Sequence, residues 1–243
     1  LWGTMPDATL FAAAQNGELD TVEGRRNQAT RLLDDARARE QLGVFASQWL
    51  NADPLLAGEK DAAAFPSFNT AVQEAQFQEL SEFIAHVTFD STGTFGELLQ
   101  PGYVVADPIL AAYYGLPVPG GNDFAPIDVT DGSRGGLLTL GSVLAAHAHS
   151  DDGSPIKRGV FVRQRILCQD LPPPPPDVDN TPPGLDPTLT TRERFRQHSA
   201  NATCQACHQY IDGVGFGFEN FDGAGKRRES ENGAPVDASG TIV

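Results

Sequence analysis

Residues 201–210 read NATCQACHQY. A chain with only three cysteines and five histidines places Cys204, Cys207 and His208 within five positions there. Cys-x-x-Cys-His is the spacing of c-type haem attachment. On a helix, residues i and i+3 lie on one face, so two sulfurs can bond the two vinyl-derived carbons along one porphyrin edge. The next residue then brings its imidazole under the ring, and His208 becomes the proximal iron ligand. Two other chemistries use similar residues. A thioredoxin-like redox pair needs a strand–turn–helix setting, whereas this stretch follows a helix and a polar loop. A zinc site could recruit Cys204, Cys207, His198 and Cys168, but the paired spacing of common zinc sites is incomplete.

The opposite face of the iron has several candidates. The 35 residues after His208 contain neither His nor Met, so a distal ligand must come from upstream or from chain outside this sequence. His198, six residues before Cys204, is the first candidate, and His147 in AAHAHSDDGSP, beside His149, is the second. His86 lies in an amphipathic stretch and reads as structural; Met5 is remote. Without a distal ligand, an open sixth position would permit peroxide or small-gas chemistry.

The flanking sequence suits a flat, anionic cofactor. GVGFGFENF offers Phe216 and Phe218, with Phe221, for an apolar wall, and Gly213, Gly215 and Gly217 for close backbone approach. The same residues read equally well as the core of a small unit. Arg192 is a propionate-binding candidate, along with Arg194, Arg196, Lys226, Arg227 and Arg228. Cys168 is left over, either for a disulfide with an unseen cysteine or as a buried thiol.

The elements that must hold this site read as helices. MPDATLFAAAQNG has Asp7 in its first turn and Asn16-Gly17 to stop it. TVEGRRNQATRLLDDARAREQLGVFASQWL continues in the same style, with Leu32, Leu33, Leu42, Phe45 and Trp49 as expected core contacts. SFNTAVQEAQFQELSEFIAHVTF spaces Phe68, Val72, Ala75, Leu80, Phe83 and Val87 for one amphipathic helix. DPILAAYYGLP is capped by Asp107 and stopped by Gly115. GGLLTLGSVLAAHA and SPIKRGVFVRQRILC, the latter capped by Ser154, are further helices. No alternating pattern demands a large sheet. Five consecutive prolines from Pro172 predict a stiff polyproline II connector of about 15 Å.

Formal net charge is −15, which disfavours a nucleic-acid partner. The imbalance is uneven. Residues 1–133 hold 6 basic and 19 acidic side chains, and residues 134–243 hold 11 and 13. No apolar run approaches the length of a membrane span. The start at Leu1, with neither initiator Met nor signal peptide, reads as a piece of a longer chain.

GGLLTLGSVLAAHAHSDDGSPIKRGVFVRQRILCQDLPPPPPDV, followed by TTRERFRQHSANATCQACHQYIDGVGFGFENFDGAGKRR, resembles the large planctomycete and myxobacterial cytochrome-like proteins. These carry domains of unknown function 1592, 1588 and 1585. LWGTMPDATLFAAA and FPSFNTAVQEAQFQELSEFI resemble the first of the three. The resemblance implies an exported protein, a histidine at position 198, the haem motif at 204, 207 and 208, and an aromatic run over Phe216–Asp222. Many relatives carry His where this chain has Leu140.

The expected architecture is mainly α. A multi-helix scaffold (1–133, resembling domain 1592) leads to a helical segment plus Pro-rich linker (134–184, resembling 1588). A small cytochrome c-like haem unit (185–243, resembling 1585) follows. The expected function is that of an exported c-type cytochrome: periplasmic, at the cell surface or extracellular. It would hold covalent haem c and pass single electrons to a redox partner protein or a neighbouring haem subunit, alone or in a larger assembly. The alternatives are a haem peroxidase or oxidoreductase with an open distal site, and a zinc-stapled structural surface protein.

Overall fold

The computed structural model describes residues 1–173, 181–198 and 202–242, without the side chains of 197, 198, 202–204 and 206. Most of the polyproline stretch, from residue 174 to 180, therefore lies outside the described residues.

The chain is mainly helical. Helix α1 (Ala8–Gln15) starts where the Asp7 carboxylate accepts the Leu10 amide at 2.9 Å, and it stops at Asn16 before Gly17 at φ +73°. Helices α2 (Val22–Leu33) and α3 (Ala36–Leu50) are capped by Thr21 and Asp35, and Asn51 closes α3 in the left-handed region. A single turn, α4 (Pro54–Ala57), precedes the long α5 (Thr70–Ala85), which Asn69 caps and which ends in a π turn over His86–Asp90. Short α6 (Phe95–Leu99) leads into strand β1 (Tyr103–Ala106), then α7 (Pro108–Tyr114) between Asp107 and Gly115, then β2 (Ala125–Asp128). The two strands pair antiparallel, Tyr103 opposite Asp128 and Ala106 opposite Ala125. Helix α8 (Gly141–Ala146) follows, then α9 (Pro155–Phe161), capped by Ser154 and continued by a π turn through Ile166. Last come α10 (Thr191–His198), α11 (Ala202–Gly215) and the two-residue strands β3 (Ser230–Glu231) and β4 (Ala234–Pro235). Among the described residues, no helix is long and apolar enough to cross a membrane.

The main core gathers Leu50 of α3, Leu80 and Phe83 of α5, Val143 of α8, Phe161 of α9 and Val214 of α11. A second cluster joins Val72 and Ala75 to β1, α7 and β2. The expected face of α5 is the buried one: Val72, Ala75, Leu80, Phe83 and, just beyond it, Val87 all face inward. The expected face of α3 is corrected. Phe45 is 56% exposed and Leu33 of α2 is 40% exposed, while Ala38, Gly43, Ala46, Ser47 and Leu50 turn inward. The reason is close helix approach. A Cβ on Gly43 would run into the Ser81 side chain of α5, so the small residues of α3 must face α5. Phe45 is left on the outside, stacked on Trp49 with ring centroids 6.1 Å apart. Leu140 belongs to the main core.

Candidate functional site

Helix α11 carries positions 204, 207 and 208 in its first two turns, the placement that the attachment motif requires. Its position follows from two glycine contacts with α9. A Cβ on Gly159 would strike the Ile211 carbonyl, and one on Gly215 would strike the Pro155 carbonyl. Only hydrogen at both points lets the helices touch backbone to backbone. Two buried arginines after the α9 cap then tie the elements together. Arg158 donates to the carbonyls of Phe221 (2.7 Å), Asp222 (2.6 Å), Leu144 and Phe218. Arg163 donates from Nε to the Tyr210 carbonyl of α11 at 2.7 Å.

Within the motif, His208 Nδ1 is 2.8 Å from the Asp212 carboxylate, one helical turn on, and both side chains are largely buried. With a carboxylate as acceptor, Nδ1–H donates, and Nε2 becomes the nitrogen that carries the lone pair. Metal-ligating histidines are commonly oriented in this way. Half-buried Cys207 lines a cavity of about 520 Å³ together with Arg163, Gln169, Asp170, Leu171, Pro172, Tyr210 and Ile211. That volume falls within the range of cofactor and small-molecule sites. A cysteine able to form a thioether, an oriented imidazole one residue on and a partly apolar cavity beside Cys207 suit a haem.

The other candidates fall in varied places. The side chains of Cys204 and His198 lie outside the described residues. His147 is buried in the body, with Nε2 at 2.9 Å from the Leu50 carbonyl and its ring stacked on Phe161, centroids 4.3 Å apart. Burial pushes its pKa down to about 4. Phe216 is buried and Phe218 packs against the main core, so both take part in the interior. Gly213 is pressed against the Thr241 carbonyl and Gly215 against Pro155, which favours the core reading of this glycine run over approach to a ring. Arg192 lies over the Phe216 ring at 4.6 Å and is engaged by Asp237 and by the Ser239 carbonyl. Arg194 pairs with Asp152, Arg227 with Glu229, and Arg228 with Glu219 and Glu231. Cys168 is exposed, at φ +53°. Among the described residues, no three His, Cys, Asp or Glu side chains gather to hold a metal ion.

Sequence reading passed over two features. Arg163 sits in the run GVFVRQRILC and reads as the polar face of an amphipathic helix, yet it is buried; two arginines five apart among apolar residues were the available signal. Gln76 and Glu79 read as the solvent side of α5 but are buried. Tyr114 Oη donates to Glu79 at 2.8 Å, the Gly141 amide donates to the same oxygen at 2.9 Å, and Gln76 donates to the Ala224 carbonyl. Arg134 joins this seam by donating to the Gly225 carbonyl and stacking over Tyr114. Burial raises the Glu79 pKa to about 7.

Comparison with curated proteins and with solved structures gives no match. Family comparison gives two. Residues 1–116 match the family described as "Protein of unknown function (DUF1592)". Residues 134–231, which include α9, α11 and the Cys-x-x-Cys-His stretch, match "Protein of unknown function (DUF1588)". Two successive stretches of the chain are thus similar to two families of unknown function, 1592 and then 1588.

Proposed function

We propose that this chain is an exported c-type cytochrome that holds one haem through Cys204 and Cys207, with His208 as proximal ligand. The observation that carries the reading is the attachment motif on α11, with His208 Nδ1 bonded to Asp212 and Cys207 on a cavity wall. When bound, the haem iron supplies one-electron exchange between its ferric and ferrous states. The rest is the work of the chain. Cys204 and Cys207 fix the porphyrin edge to a helix that is itself clamped to α9. Asp212 holds the His208 ring in one tautomer and orientation. Ile211, Leu171 and Pro172 supply apolar lining to the cavity. His198 is the distal ligand in this reading; His147, bonded to Leu50, is not carried forward. The 185–243 segment is the haem unit and the helical body is its docking scaffold. Attachment takes place outside the cytoplasm, so the protein works in the periplasm, at the cell surface or beyond. It exchanges electrons with a redox protein or a neighbouring haem subunit.

The test is an alkaline pyridine haemochrome of the denatured full chain, matured in a host with c-type haem attachment machinery. A covalent haem spectrum is expected; haem removed by acid extraction would contradict the proposal. Carbon monoxide added to the reduced native protein then tests the electron-carrier role. An unshifted low-spin spectrum is expected, and His198→Ala should turn the iron high-spin. A spectrum that shifts in the wild type would favour a peroxidase-like open site.

A further inference from the structure

Arg163 has a place in the fold that its protein partners do not explain. Its side chain is only 1% exposed. Nε donates to the Tyr210 carbonyl at 2.7 Å and Nη1 to Gln169 Oε1 at 2.8 Å, while Nη2 is buried with no hydrogen-bond partner. A guanidinium keeps its proton under all ordinary conditions, so burying one against two neutral acceptors is costly unless an anion completes it. The other buried arginines meet more acceptors or a charged one, although Nε of Arg158 and of Arg194 is likewise without a hydrogen-bond partner. Arg194 meets the Asp152 carboxylate, Arg158 meets four carbonyls, and Arg134 meets two carbonyls and two aromatic rings. Arg163 alone among these four lines the cavity that Cys207 lines.

A haem attached at Cys207 brings two carboxylates with it, and a guanidinium edge is shaped to receive a carboxylate. We propose that Arg163 anchors a haem propionate in this cavity through Nη2. The assignment rests on the haem reading above. It replaces Arg192, Arg194, Arg227 and Arg228, each of which already pairs with a carboxylate of the chain and none of which lines this cavity. The exposed Asp170 on the same cavity is the rival partner for Nη2.

The experiment compares the haem-loaded full chain with Arg163→Gln, Arg163→Lys and Asp170→Asn. The readouts are covalent haem per chain, the propionate-bending bands in resonance Raman spectra, and the pH dependence of the midpoint potential. Attachment runs through sulfur, so Arg163→Gln should keep one haem. Its propionate band should move, and a redox-linked protonation should emerge towards neutral pH, because the ionised propionate has lost its cation. Arg163→Lys keeps the charge without the planar fork and should move the band less. Asp170→Asn should leave it in place. An unmoved band and an unchanged pH profile in whichever Arg163 variant carries haem would overturn the anchor while leaving the haem reading intact. A band that moves with Asp170→Asn as far as with Arg163→Gln would overturn it too. A wild-type chain without covalent haem would defeat the haem reading itself, and the anchor with it.

Discussion

The region up to residue 133 and the region from Arg134 onward satisfy their backbones in different ways. In the first, short-range caps do the work: Asp7, Thr21, Asp35, Asn69 and Asp107 each accept an amide within the next three residues. In the second, long-range guanidinium donors reach into irregular chain. Among the described residues, the four buried arginines are Arg134, Arg158, Arg163 and Arg194, all in this second region. Loop segments such as 218–225 have no ladder of their own, and their carbonyls must be met by side chains from elsewhere. The scaffold is therefore built from many small local terms, and the region around α11 from a few large ones.

The hardest blow to this contrast would come from Arg158→Met. It removes the donor for four carbonyls, and a loss of about 3–5 kcal/mol in urea unfolding is expected. A loss below about 1 kcal/mol would show that arginine clamping is not what holds the region. The seam between the regions gives the next largest effect. Burial lifts the Glu79 pKa from 4.5 to about 7. A raised carboxyl pKa favours the folded state fully below pH 4.5, and that advantage fades as pH rises to about 7. Glu79→Gln should therefore match the wild type near pH 4.5 and exceed its stability by roughly 3 kcal/mol at pH 8. A pH-independent difference would contradict the shift.

Helix contact is tested by Gly215→Ala, whose new methyl meets the Pro155 carbonyl. About 1–3 kcal/mol of destabilisation is expected, with loosened protection of α9 and α11 amides in hydrogen exchange. The smallest effect belongs to the scaffold, where Asp7→Ala, which removes the α1 cap and the Arg31 pair, should lower the midpoint of thermal or urea unfolding only slightly. That a cap in one region should weigh several times less than a clamp in the other is the contrast in numerical form.

The same contrast decides what the sequence could reveal. Caps and stops are local, so Asp7, Asp107, Ser154, Gly17 and Gly115 announced their helices, and Val72, Leu80 and Phe83 announced the inner face of α5. The inner face of α3 was hidden, because it depends on how closely α5 approaches, and closeness selects Gly43 and Ala46 over Phe45. Arg163 and Glu79 were hidden for a related reason. A charged residue is read as surface until its partner, a distant carbonyl or hydroxyl, is known. At the candidate site, the Cys-x-x-Cys-His spacing and its helical setting were legible. The His208–Asp212 pair, four residues apart, was available to reading, but the cavity beside Cys207 required the packing of 169–172 against α11.

The central claim is covalent, and peptide mass mapping tests it most directly. The full chain, matured with c-type haem attachment machinery, is digested, and the peptide holding Cys204–His208 is weighed before and after thiol alkylation. One haem on that peptide, with neither cysteine alkylated, is the required result. Both thiols alkylated and no haem mass would contradict the account.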